Sequence, residues 1–224
     1  MMTAKTVYAL HTGPVLLDVV RSLMKELLPG TRLVNVVDDG LLDEVRKAGE
    51  LTPAVSRRLI GYGFLAAGAG ADAILNCCSS VGEAAEMLAR LLDIPVVRID
   101  DAMAQQAVDA GSRIAVVATL ATTLEPTKRL IGRKADALGR NVILTSYLAD
   151  SAFDALLAGD GSKHDALVNA AIDRAAQEND VVVLAQGSMA RLLATRQATA
   201  GAPILTSPRS GVESLRKHLH MERP

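Results

Sequence analysis

Adding 108 to a position in the first half of this chain lands repeatedly on a similar residue in the second half. Lys5-Thr6-Val7-Tyr8-Ala9-Leu10 falls on Arg113-Ile114-Ala115-Val116-Val117-Ala118, and Arg32-Leu33-Val34 falls on Arg140-Asn141-Val142. Ile74-Leu75 falls on Val182-Val183, and Ile94-Pro95-Val96-Val97 falls on Ala202-Pro203-Ile204-Leu205. Each match is short, but the shared offset and the coincident prolines tie them into one pattern. A sequence built this way is two copies of one supersecondary unit, which limits the folds it can reach. The join is expected across residues 102–111.

Within each copy, β-branched runs alternate with Ala- and Leu-rich stretches, the pattern of a parallel sheet covered on both faces. Strands are predicted at 6–10, 33–37, 73–77, 96–99, 114–118, 142–145, 181–185 and 204–206. Apolar residues at three- and four-residue spacing predict helices between most of them, as at 15–28 and 56–67. The expected fold class is α/β, with two similar parallel-sheet halves related by pseudo-two-fold symmetry and a site in the cleft between them. The first half is expected to span 1–102 plus 208–224 and to carry Cys78; the second spans 103–207 and carries Gln186.

Composition narrows the function. Half the residues are hydrophobic and the net charge is −1, so a large core is available but no basic face for nucleic acid. Aromatics make up 2% and Trp is absent, which argues against stacking platforms for bases or sugars. No apolar run approaches the roughly 18 residues of a membrane span, and the start lacks a signal peptide's apolar stretch. Cys77 and Cys78 are neighbours and make a poor disulfide. The expectation is a soluble cytoplasmic protein with no nucleic-acid or membrane partner.

Ligands of open parallel sheets bind beyond the carboxyl ends of strands. Those ends carry His11-Thr12-Gly13-Pro14, Cys78-Ser79-Ser80, Thr119-Leu120-Ala121-Thr122-Thr123 and Gln186-Gly187-Ser188. Hydroxyls and helix starts present N–H and O–H donors to an anion, so a small carboxylate is the natural guest. Cys78, where strand gives way to helix, is the candidate nucleophile or base, because a helix start favours the thiolate. Cys77 is expected to be a small buried hydrophobe, since its repeat partner is Ala185. His11 reads as a general acid/base, as a carboxylate ligand or as an ordinary loop histidine. Asp38-Asp39 and Asp100-Asp101 read as helix caps and first-turn acids. His218 and His220 are not expected to hold a metal. Gly68-Ala69-Gly70 precedes a strand and so is no dinucleotide fingerprint. Neither a metal nor a cofactor is expected.

Taken together, Val7-Tyr8-Ala9-Leu10-His11-Thr12, Leu75-Asn76-Cys77-Cys78-Ser79-Ser80 and Val183-Leu184-Ala185-Gln186-Gly187-Ser188-Met189-Ala190 resemble the Asp/Glu/hydantoin racemase superfamily. So do Ile114-Ala115-Val116-Val117-Ala118-Thr119 and Pro203-Ile204-Leu205-Thr206-Ser207, and the likeness runs along essentially the whole chain. The resemblance implies flavodoxin-like halves, a homo-oligomer, and a cofactor-independent racemase or isomerase working at the α-carbon of a small carboxylate. In that superfamily two cysteines face each other across the α-carbon, one removing a proton and the other returning one. Carried over, Cys78 is the thiolate base and His11 assists it. Thr12, Ser79, Ser80, Thr119, Thr122, Gln186, Gly187 and Ser188 would bind the substrate.

The second cysteine position, however, is Gln186. An amide exchanges no proton near neutral pH, so the two-base mechanism is incomplete. The resemblance therefore also admits a one-thiol decarboxylase or cis-trans isomerase, or a protein that binds a small acid without catalysis.

Overall fold

The computed structural model describes residues 4–196 and 201–221. The chain divides into two compact units, Met1–Asp101 with Pro208–Pro224, and Ala102–Ser207. In the first unit, β1 (Thr6–His11), β2 (Arg32–Val37), β3 (Ala73–Asn76) and β4 (Val96–Arg98) form one sheet in the order β2-β1-β3-β4, every pair parallel. In the second, β5 (Arg113–Ala118), β6 (Ile143–Leu148), β7 (Val181–Leu184) and β8 (Ile204–Thr206) repeat that topology as β6-β5-β7-β8. All eight expected strands form.

Central strands of such a sheet are covered on both faces and read as continuous apolar runs. Val181-Val182-Val183-Leu184 is buried throughout, as is Ala73-Ile74-Leu75-Asn76 with its one polar residue at the strand end. In the first unit, one face packs Val7, Ala9, Leu75 and Cys77 against α1 (Leu17–Leu27) and α10 (Ser207–His218). The other face packs Leu10 and Ile74 against α2 (Gly40–Ala48), α3 (Pro53–Gly68) and α4 (Gly82–Ala89). Helix α3 begins at a stop-start signal legible in sequence: the Thr52 side chain accepts a 3.2 Å bond from the Val55 N–H, and Pro53 follows at the first helical position.

The second unit uses α5 (Asp101–Ala110) and α6 (Ala121–Ala137) on one face, and α7 (Ala152–Leu157), α8 (Gly161–Glu178) and α9 (Ala190–Thr195) on the other. Each copy's last helix thus serves the sheet of the other copy. Helix α5 follows β4 yet packs Met103, Ala107 and Val108 into the second core, while α10 follows β8 and packs Val212, Leu215 and Leu219 into the first. Among the described residues no helix is long and apolar enough to cross a membrane.

The ladders refine the repeat. Strand β3 with β7 and strand β4 with β8 keep the offset of 108, since Ile74 pairs with Val96 as Val182 pairs with Ile204. Strand β1 matches β5 at 107 instead: Val7 pairs with Ala73, and Ile114 pairs with Val181. Strand β2 matches β6 at 111, as Val7 pairs with Leu33 and Ile114 with Leu144. Length changes in the connections cause these slips, and uniform Val/Ile/Leu runs hide them from a sequence comparison. One consequence is functional, because Thr119 is the counterpart of Thr12 and not of His11.

Helix α10 docks on the end of β4 through Gly211. A Cβ there would overlap the carbonyl oxygen of Ile99 and lie 2.8 Å from its carbonyl carbon. Backbone cannot swing aside as a side chain can, so Gly211→Ala is expected to destabilise the chain by about 1–3 kcal/mol. Urea unfolding measures this, and an unchanged midpoint would mean that α10 does not seat against β4.

Candidate functional site

In each sheet the strand order reverses between its first and third strands, which is the switch point where such folds hold ligands. At the carboxyl ends of β1 and β3 lie His11, Thr12, Asn76 and Cys78. Cys78 is extended (φ −139°, ψ 122°), and the chain then turns through a 3₁₀ turn, Ser79–Val81, into α4. Asn76 sets this exit. It is fully buried, its side-chain Nδ2 donates to the Cys78 carbonyl at 2.9 Å, and its Oδ1 is buried without a partner.

The two cysteines differ as the alternation of a strand requires. Cys77 belongs to the core with Val7 and Ala9, and its Sγ lies 3.7 Å from the Leu75 carbonyl oxygen. Burial, with Cys78 beside it, pushes the Cys77 thiol far above its ordinary pKa. Cys78 is half-buried on the opposite face, against the core formed by Leu10 and Ile74.

His11 is the last residue of β1, buried, with Nε2 at 2.9 Å from Asn35 Oδ1. The proton therefore sits on Nε2, and Nδ1 is buried without a partner. Burial lowers the imidazole pKa below its usual 6.5, against an opposing contribution from Asn35, so the ring is neutral at pH 7. Asn35 pairs with Ala9 across the ladder, which puts His11 on the Ala9–Cys77 face. The two residues expected to share the chemistry, Cys78 and His11, lie on opposite faces of the sheet.

Of the acidic pairs, Asp39 stands at the N-cap position of α2 and Asp101 is a first-turn acid of α5, as expected, but the other two acids have different partners. Asp38 binds Arg58 and accepts the Tyr62 hydroxyl at 2.7 Å, and Asp39 makes no side-chain cap. Asp100 is fully buried and accepts two bonds from Arg98, at 2.9 and 2.8 Å. The Ser79 hydroxyl donates to the same carboxylate. Ser79 and Ser80 are both buried within the 3₁₀ turn. Arg98 and Asn76 were not singled out from sequence, and Asp100 reads there as a cap or first-turn acid. The available signal was an Arg at the end of β4 and an Asp two residues on, with no charged counterparts in the second copy.

The matching end of the second sheet is differently furnished. Gln186 Oε1 accepts the Thr119 backbone N–H at 2.8 Å, and Gln186 Nε2 donates to Thr119 Oγ1 at 2.6 Å. The carboxamide thus takes up the Thr119 N–H, a donor expected for a substrate carboxylate, and uses the Thr119 hydroxyl oxygen as its acceptor, with its own oxygen standing where a carboxylate oxygen would accept. Gly187 and Ser188 are half-buried in a 3₁₀ turn, Gly187–Met189, and Thr122 Oγ1 is buried without a partner. The structure brings Gln186 and Thr119 into direct contact. In the first unit their counterparts are Cys78 and Thr12, and the thiol is too short to make the same two-point bridge. Among the described residues no group of three or more His, Cys, Asp or Glu side chains is disposed to hold a metal ion.

Comparison with known proteins fits this architecture. A family model described as Asp/Glu/Hydantoin racemase matches residues 17–215. A glutamate racemase isoform from Bacillus anthracis superposes with a TM-score of 0.75 at 17% identity, covering 97% of this chain and 82% of that one. The aspartate racemase of Picrophilus torridus gives 0.74 at 13% identity, covering 99% and 96%. The allantoin racemase of Klebsiella pneumoniae gives 0.66 at 15%, covering 99% and 91%. A search of curated protein sequences finds no match. At these identities the structural likeness establishes the fold, while the family match, spanning most of the chain, establishes kinship: the chain belongs to the Asp/Glu/Hydantoin racemase family.

Proposed function

We propose that the protein carries out cofactor-independent, racemase-type proton transfer at the α-carbon of a small carboxylate with Cys78 as its single thiol. The observation that carries this reading is the asymmetry between equivalent strand ends. Cys78 stands at one, and at the other Gln186 is bonded at both ends of its amide to Thr119. The Cys78 thiolate takes the α-proton, leaving an enediolate and a neutral thiol. The same thiol returns a proton to the same face. The Thr12 N–H and hydroxyl, counterparts of the Thr119 groups that Gln186 bonds, suit the substrate carboxylate. Neutral His11, turned to the other face and tied to Asn35, is poorly disposed to act as a second base.

One-faced chemistry has a distinctive result. In D₂O the parent chain is expected to exchange the α-proton of a small amino or hydroxy acid with retention, without building up the opposite enantiomer. Gln186→Cys supplies a second thiol at the equivalent position and frees Thr119, so racemisation is expected to appear in that variant. Chiral analysis of deuterated product decides it. Rapid racemisation by both the parent and His11→Ala would sink the one-thiol reading, and stereospecific loss of CO₂ from a malonate would favour a decarboxylase instead.

The free thiols Cys77 and Cys78 suit a reducing compartment, and we assign the enzyme to the cytoplasm. We also propose a homo-oligomer, for which exposed Phe64, Leu65, Met87 and Leu91, on and just beyond α3 and α4, supply apolar surface.

A further inference from the structure

The buried ion pair behind the Cys78 turn is larger than a pair. Arg98 donates to both oxygens of Asp100 and also bonds Glu86 on α4, while the Ser79 hydroxyl donates to Asp100. Gly82, the first residue of α4, makes room for it. A Cβ there would lie 2.6 Å from both Nε and Nη2 of Arg98. The guanidinium therefore sits against the start of a helix, where the macrodipole disfavours a cation. Two carboxylates offset that cost. One network thus ties β4, α4 and the residue after Cys78 together.

The repeat provides an internal control. Strand β7, its 3₁₀ turn, α9 and β8 reproduce the same strand-turn-helix-strand path at the offset of 108 that holds for these elements. There Ser79, Gly82, Glu86, Arg98 and Asp100 are replaced by Gly187, Ala190, Ala194, Thr206 and Pro208. Every member of the network is missing from the copy that lacks the thiol, and the fold forms regardless. Building the turn does not require the network. Buried ion pairs are also weak net contributors to stability, so its presence calls for a reason other than folding.

We infer that Arg98, Asp100 and Gly82 are positioning residues for Cys78: by holding the Ser79 hydroxyl they fix the Cys78–Ser79 peptide and hence the thiol at the start of the turn. This rests on the reading of Cys78 as the reacting thiol. Bidentate geometry matters to it, which is why lysine is no substitute for Arg98.

The test is the rate of Cys78 alkylation by iodoacetamide at fixed pH, followed by peptide mass mapping on the full chain. Ser79→Ala cuts the tie and leaves the buried pair matched; it is expected to slow Cys78 alkylation about tenfold at unchanged melting temperature. Ser79→Thr, which keeps the hydroxyl, should restore the rate. Arg98→Met combined with Asp100→Leu removes both charges together, which buried pairs often tolerate, and should match Ser79→Ala. A parent-like rate in Ser79→Ala, or no rescue by Ser79→Thr, overturns the positioning role. If Cys78 of the parent reacts no faster than Cys77, the functional reading fails first and this inference falls with it.

Discussion

Cys78→Ala is expected to lower turnover by about 10²–10⁴-fold, the usual worth of a positioned acid–base group, with little change in melting temperature. Cys77→Ala should leave turnover within about threefold of the parent, because its side chain only packs. The argument rests on strand alternation. Cys77 faces the Val7–Ala9 core, where burial keeps its thiol protonated. Cys78 leaves the last rung of β3 on the other face and stands half-buried at the start of the turn. Exchange of the α-proton of a small carboxylate into D₂O reads the activity of both variants. Limited alkylation should inactivate the parent in step with modification of Cys78. Equal losses in the two variants, or alkylation that prefers Cys77, would overturn the assignment.

The second large effect concerns stability. Arg98→Met is expected to cost about 3–5 kcal/mol, because it leaves the Asp100 carboxylate buried and uncompensated. Burial alone would raise the Asp100 pKa, but Arg98 overrides it and holds the group below its ordinary 3.8. A carboxyl whose folded pKa is depressed contributes stability above the unfolded value and loses it as pH falls through the folded one. In the parent, this contribution is therefore complete above about pH 4 and disappears in stronger acid. In Arg98→Met only the Ser79 hydroxyl and a backbone N–H oppose burial, so the folded pKa rises and acid relieves the defect. The gap between parent and variant should be wide at pH 7 and narrow at pH 4. Urea unfolding at both pH values measures it, and a gap under about 1 kcal/mol at pH 7 would show that Asp100 is compensated by something other than Arg98.

Much of this protein was legible in its residues one segment at a time. Parallel α/β class, eight strands and duplication follow from apolar periodicity and from recurring Ile-Pro-Val and Ala-Pro-Ile runs, which are local properties of the chain. The contrast between Cys77 and Cys78 follows from strand alternation, again a local rule. The substitution of Gln186 at the second cysteine position is likewise written in the sequence.

Three things needed the tertiary structure. The repeat register at β1 and β2 came from the ladders, because runs of Val, Ile and Leu align almost equally well one residue either way. The partnership of Gln186 with Thr119 joins residues 67 positions apart, and nothing in either segment announces it. Asp38 and Asp100 looked like helix caps because an acid before a helix usually is one. Arg58 reaches Asp38 from α3, 20 residues on, and Asp100 is held by neighbouring Arg98 together with Ser79 from the turn after β3. Local periodicity decides which segments become strands and helices, since burying an apolar face is a property of the segment itself. Whether a polar side chain ends as cap, ion pair or clamp depends on which partner the packed chain brings within about 3 Å of it, and only the assembled sheet supplies that partner.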